Sequence, residues 1–190
     1  MRTRHLIVGA GIFGLTAALE LRRRGAQVVV LDPGPLPSPM AASTDITKAV
    51  RMDYGADEGL TALADQAIVG WHAWNARWPA PLYHPTGVLY LRRTPMAPGS
   101  FEWASAETVS RRGVAVERLD AQAIAQRWPV LAGAGLVDGY FNPRGGWVAA
   151  ARVVARLADE ARAVGVEFRL GEPVRELAMA GDRVIGVLTG

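Results

Sequence analysis

Gly9, Gly11 and Gly14 stand in the spacing Gly-x-Gly-x-x-Gly at the end of the run His5-Leu-Ile-Val8, and an acid, Asp32, follows eighteen residues after the last glycine. This pattern suits a dinucleotide, and each glycine has a mechanical reason. Gly9 makes the tight turn off a strand, Gly11 lets a pyrophosphate approach the backbone, and Gly14 lets helix and strand pack closely. A helix starting at Gly11 to Ile12 aims unpaired N–H groups and the positive end of its dipole at the phosphates, with Ala10, Ile12 and Phe13 completing the turn. Asp32 can accept hydrogen bonds from a ribose diol and repels a 2′-phosphate, which argues against NADP. FAD and NAD both satisfy the motif.

The elements that must position these residues form a βαβ unit: a strand to Val8, a helix to Gly25, and a second strand Gln27-Val-Val-Val-Leu-Asp32. Four prolines in Pro33 to Pro39 then forbid helix or central strand and predict an extended loop. From Asp57 to Arg77, Leu60, Leu63, Ala64, Ala67, Ile68, Trp71, Trp74 and Trp78 recur at three- and four-residue steps, predicting an amphipathic helix with the tryptophans in the core. Short strands are expected at 87–91 and 114–118, a strand and then a turn within 139–146, and helices at 101–112, 121–127 and 148–164. Val166 to Leu170 reads as a third parallel strand, and 173–177 with 183–188 as a hairpin or meander across Ala180-Gly-Asp182. The fold class is α/β, a Rossmann-like dinucleotide domain made of 1–56 and 148–190 with an inserted α+β portion at 57–147.

Composition narrows the class. Half of the 190 residues are apolar, enough for a core, and the net charge is only +3. Of the 21 lysines and arginines a single one, Lys48, is lysine, and the basic residues are dispersed apart from Arg22-Arg23-Arg24, which complements a helix C-terminus. Nucleic acid is therefore not an expected partner. No apolar run approaches the roughly 18 residues of a membrane span, and the first strand starts too early for a signal peptide. With no cysteine there is no thiolate metal site, disulfide or cysteinyl flavin link, and the expected location is the cytoplasm. His5, His72 and His84 lack a metal-ligand spacing, so no metal is assigned. Neither a Gly-x-Ser-x-Gly elbow nor a glycine-lysine phosphate loop is present, which excludes hydrolase and phosphotransferase readings.

Taken together, Gly9-x-Gly11-x-x-Gly14, Asp32, Ala42-Ser43-Thr44 and Lys48-x-x-Arg51-x-x-Tyr54-Gly55 resemble the D-amino acid oxidase superfamily of flavoproteins. Within it the chain is similar to monomeric sarcosine oxidase and the relatives acting on fructosyl amino acids, saccharopine and pipecolate. Thr86-Gly-Val-Leu-Tyr-Leu91, Arg127-Trp-Pro129 and Phe141-Asn-Pro-x-Gly145-Gly-Trp-Val148 repeat the group's order. The resemblance covers the N-terminal half of a typical member. It implies FAD, with Ser43, Thr44 and Thr47 offering hydrogen bonds near the phosphates and flavin, and Val174 meeting the adenine through its backbone.

Two cations carry the chemistry that the resemblance implies. Lys48 stands where sarcosine oxidase has arginine and the fructosyl amino acid oxidases have lysine; a cation there stabilises negative charge on reduced flavin. Its alternative is a solvated loop lysine. Arg51 matches the residue that holds the substrate carboxylate in sarcosine oxidase, and its planar fork suits that contact. An ion pair with Asp53 or Asp57 is its structural alternative.

The implied reaction is oxidation of a C–N bond in an amino acid or N-substituted amine: hydride to the flavin, hydrolysis of the imine, and return of electrons to oxygen or another acceptor. Since the rest of the substrate sheet belongs to the family's second half, the chain is expected to be a fragment, one subunit of a split oxidase completed by a second polypeptide, or a small FAD-binding module without turnover. An NAD-linked dehydrogenase on the same βαβ unit is the alternative enzyme; it leaves Ser43 to Tyr54 unexplained.

Overall fold

A computed structural model describes residues 4–190. In chain order the first elements are β1 (Arg4–Val8), α1 (Ile12–Arg23), β2 (Gln27–Asp32), β3 (Lys48–Val50), α2 (Glu58–Arg77), β4 (Tyr83–His84) and β5 (Val88–Arg92). Then come α3 (Phe101–Arg111), β6 (Glu117–Asp120), α4 (Ala121–Arg127), β7 (Asp138–Asn142) and β8 (Gly146–Val148). The last are α5 (Ala150–Ala163), β9 (Glu167–Leu170), β10 (Val174–Ala180) and β11 (Arg183–Thr189). They fall into two compact units, Met1–Lys48 with Ala149–Gly190, and Ala49–Val148.

The first unit is built on a parallel sheet of order β1-β2-β9. The middle strand β2 buries Val28, Val29, Val30 and Leu31 in succession, as a strand covered on both faces must. α1 packs on β1, β2 and α5. The apolar stripe of α5, Val153, Val154, Leu157, Ala158 and Ala161, is buried at helical spacing. β9 is the expected third parallel strand, and β10 and β11 form the expected antiparallel hairpin. The helix expected from Val148 starts two residues later, because Val148 closes β8 and pairs with Tyr83 of β4. In the arginine triplet, Arg23 and Arg24 pair with Glu20 at 2.8 and 2.7 Å, while Arg22 donates to the carbonyls of Val164 and Ala26.

The second unit holds an antiparallel sheet β5-β7-β6 and a small sheet β3-β8-β4. Asp57, Ser100 and Asp120 cap α2, α3 and α4 with their side chains, each satisfying an N–H that the first turn leaves free. The predicted apolar face of α2 is corrected. Thr61, Ile68 and Trp78 are buried and Trp71 and Trp74 half-buried, but Leu60, Leu63 and Ala67 are exposed. The helix packs on α3 and β4, a narrower strip than the three- and four-residue pattern suggests. Asn75 fastens it there, donating to the Tyr83 carbonyl at 2.6 Å and accepting from the Tyr83 N–H at 3.1 Å. The strand expected at 114–118 is also displaced, to Glu117–Asp120. Among the described residues no helix is long and apolar enough to cross a membrane.

Candidate functional site

The first unit sets the glycine turn between β1 and α1. Gly9 adopts φ +99° and its N–H donates to the Leu31 carbonyl at 2.8 Å, which seats the turn against β2. A Cβ on Gly14 would lie 1.9 Å from the Gly9 carbonyl oxygen, so the start of α1 approaches the turn as closely as glycine permits. Gly11 is different. Its φ of −72° is ordinary, and a Cβ there would meet no atom within 4 Å. Nothing inside the chain demands glycine at this position; the open space beside its backbone is the place a phosphate would take.

No side chain caps α1, so its first N–H groups are left for an anionic ligand, a donor set that fits a pyrophosphate. Phe13 projects outward, 87% exposed, and Ile12 is half-buried; their backbones, not their side chains, face this role. Asp32 fastens the turn: one carboxylate oxygen accepts from the Ala10 N–H at 2.8 Å and the other from Gly34 at 2.9 Å. A carboxylate offers about four acceptor positions, so a ribose hydroxyl can still be received. The Asp32 carbonyl accepts from Gly171 at 2.9 Å, three residues before Val174, which opens β10 opposite Thr189.

In the segment from 41 to 48, the Thr44 hydroxyl is directed to its own loop, 2.6 Å from the carbonyls of Ser38 and Ala41. Ser43 is half-buried and Thr47 exposed. Lys48, at the start of β3, forms an ion pair with Asp45, and the Asp45 carbonyl accepts from Ala151 in the first turn of α5 at 3.2 Å. Lys48 is thus paired within its own segment while both side chains stay open to solvent.

In the second unit Arg51 forms neither of the ion pairs weighed from the sequence. The Asp57 carboxylate caps α2. Arg51 Nη1 instead donates to the main-chain carbonyl of Asp53, and the guanidinium lies 4.5 Å over the Tyr54 ring. The Asp53 side chain turns inward and is fully buried. It accepts from Tyr140 Oη at 2.8 Å and from Asn142 Nδ2 at 3.0 and 3.2 Å. Tyr90 stacks on Tyr140 at 4.7 Å; its hydroxyl is buried without a well-formed hydrogen bond, though within electrostatic reach of Asp53 and Arg51. Burial pushes the Asp53 carboxyl up, against the pull of its hydrogen-bond donors. Burial and then the Asp53 charge push both tyrosine hydroxyls up. Sequence reasoning missed this cluster: Asp53 stood out only as a neighbour of Arg51, Tyr90 and Asn142 only as members of separate motifs, and nothing local showed that they meet around Tyr140.

The family described as DAO, FAD dependent oxidoreductase, matches residues 4–190. N-methyl-L-tryptophan oxidase of Salmonella arizonae is 28% identical over 159 residues, 82% of this chain and 42% of the relative. Monomeric sarcosine oxidase of a Bacillus species is 22% identical over 179 residues, 94% of this chain and 45% of the relative. Among solved structures, the deglycating fructosamine oxidase of Aspergillus fumigatus superposes with a TM-score of 0.79 at 28% identity, covering 99% of this chain and 45% of the other. The chain spans less than half the length of the curated relatives it matches.

Proposed function

Because the chain belongs to the FAD-dependent oxidoreductases of the DAO family, we propose that it is the FAD-binding portion of an enzyme that oxidises the C–N bond of an amino acid or N-substituted amino acid. The observation that carries the cofactor assignment is the uncapped start of α1 beside an open, non-obligatory glycine at position 11. Gly9, Ala10, Gly11, Ile12, Phe13 and Gly14 present backbone to the pyrophosphate, Asp32 receives the ribose, and Val174 borders the adenine. Ser43, Thr44, Thr47 and Lys48 border the flavin. The unit that runs to Lys48 and resumes at Ala149 is the cofactor domain, and Ala49–Val148 the first portion of the substrate domain, so that residues 49–56, expected with the cofactor domain, fall in the second unit.

The cofactor, when bound, supplies the electron acceptor for the reaction. The chain's own residues bind and orient. Lys48 offers positive charge beside the ring system, with Asp45 holding the ammonium in place. Arg51 receives the substrate carboxylate through the guanidinium donors not engaged by the Asp53 carbonyl. Support for an N-substituted amino acid comes from the names of the relatives, which act on N-methyltryptophan and sarcosine. The remaining substrate surface comes from residues outside this sequence, in the same polypeptide or a second one; in the second case a stoichiometric partner co-purifies.

The visible spectrum of the purified protein tests the reading, with bands near roughly 370 and 450 nm expected of a bound flavin. Gly11→Val abolishes them while leaving the melting temperature of the cofactor-free protein close to the parent's, since the added side chain enters open space. Retention of flavin by Gly11→Val would show the site to be misplaced.

A further inference from the structure

The stretch from Arg51 to Gly55 is fastened at several points. Met52 is fully buried, the Asp53 carboxylate takes donors from Tyr140 and Asn142 on β7, and the Gly55 N–H donates to Ser105 Oγ of α3 at 2.8 Å. A fully buried carboxylate loses its hydration, and an apolar side chain would anchor the loop at lower cost. What a carboxylate adds is direction. Three hydrogen bonds fix the orientation of its side chain and, through it, of the Asp53 main-chain carbonyl on which Arg51 rests.

We propose that Asp53 is a positioning residue for Arg51: its carboxylate, clamped by Tyr140 and Asn142, fixes the carbonyl that holds the guanidinium, so that the fork presents its free donors to a substrate carboxylate in a preset orientation. The role rests on the reading of Arg51 as the substrate-carboxylate contact. The guanidinium has five N–H donors and places one on the Asp53 carbonyl, while the Tyr54 face holds its plane. Tyr90 from β5, the remaining titratable group described beside this centre, packs its ring on Tyr140 and leaves its hydroxyl without a well-formed bond. That hydroxyl lies within electrostatic reach of both Arg51 and the Asp53 carboxylate. Preorganisation of this kind strengthens binding by lowering the ordering cost of the fork.

The test titrates the flavin-loaded protein with propionate, and with propionamide as the uncharged control, following the visible difference spectrum. Tyr140→Phe, which keeps the ring stack and removes one donor, and Asp53→Asn, which sets an amide against the existing donors, each weaken propionate about five- to tenfold. Propionamide binding stays at the parent value. Arg51→Ala weakens propionate at least as much, and adding Asp53→Asn to it weakens it no further, as expected for residues acting through one another.

Equal weakening of propionate and propionamide overturns the positioning role. So does parent-like propionate binding in Tyr140→Phe and Asp53→Asn when Arg51→Ala has lost it, an outcome that leaves the role of Arg51 standing. Parent-like propionate binding in Arg51→Ala would instead remove the reading beneath the proposal. Where Asp53→Asn does not fold, Tyr140→Phe decides.

Discussion

A buried carboxylate couples stability to pH, and Asp53 does so with a definite sign. Burial raises its carboxyl above the ordinary value against the pull of Tyr140 and Asn142, so the folded protein holds the proton to higher pH than the unfolded chain. Wherever the native state binds more protons than the unfolded state, stability falls as pH rises. The loss begins near the ordinary carboxylate value of about 3.9 and is complete above the raised one. Asp53→Asn lacks this titration but sets its amide N–H against the Tyr140 and Asn142 donors, an offset of about 1–3 kcal/mol against it. The expected result is that the variant melts below the parent at low pH and the gap narrows as pH is raised. Glu20 and Asp138, both held below the ordinary range, are common to the two proteins and cancel in the difference. A gap independent of pH, measured by thermal melts, would mean that the carboxyl is not perturbed in the fold.

At the scale of elements, the helices divide by how they begin. Asp57, Ser100 and Asp120 cap α2, α3 and α4, whereas α1 and α5 start at Gly11 and Ala149 without a side-chain cap. The Asp57 carboxylate accepts from Leu60 N–H at 2.8 Å, so Asp57→Ala costs about 1 kcal/mol of stability and Asp57→Asn only a fraction of it, measured as a shift in urea midpoint with unchanged slope. Loss of the same amount in both variants would show that charge near the helix dipole, not the hydrogen bond, carries the effect. Elements were legible where one period dominated. The βαβ unit, α5 and the hairpin stand near their expected bounds because their apolar residues share one face or, in β2, fill both. β6 was displaced since Val114 and Val116 imitate a strand. The chain there turns, Val116 packs beside Met96, Ala106 and Tyr140, and Glu117–Asp120 takes the ladder opposite β7. The glycine turn of the candidate site was readable for the reason α1 was: its requirements are local. The Asp53 cluster was not, because it joins residues 53, 90, 105 and 140–142, whose proximity exists only after β5 and β7 have paired.

On the scale of the whole molecule, the unit that holds the glycine turn leaves much apolar surface uncovered. Among the described residues β1 pairs only with β2, and its Leu6 and Val8, alternate residues on one face, are 43% and 56% exposed. The hairpin exposes Leu177 and Met179 on β10 and Val184, Ile185 and Leu188 on β11. An unprotected strand edge is a template for pairing with another chain, and exposed apolar area of this kind favours association. The 190-residue chain by itself is therefore expected to self-associate as its concentration is raised, with a scattering radius that grows and a dye for apolar surface that brightens. Lysine on an edge strand is the device by which sheets avoid such pairing, and Leu6→Lys combined with Ile185→Lys should return the radius to that of a monomer without altering the cofactor-binding turn. Light scattering across a dilution series decides it. A parent chain that stays monomeric would mean that these faces do not drive association, and an equally associated double variant would move the cause to the second unit, where Leu60, Leu63 and Val69 lie exposed on α2.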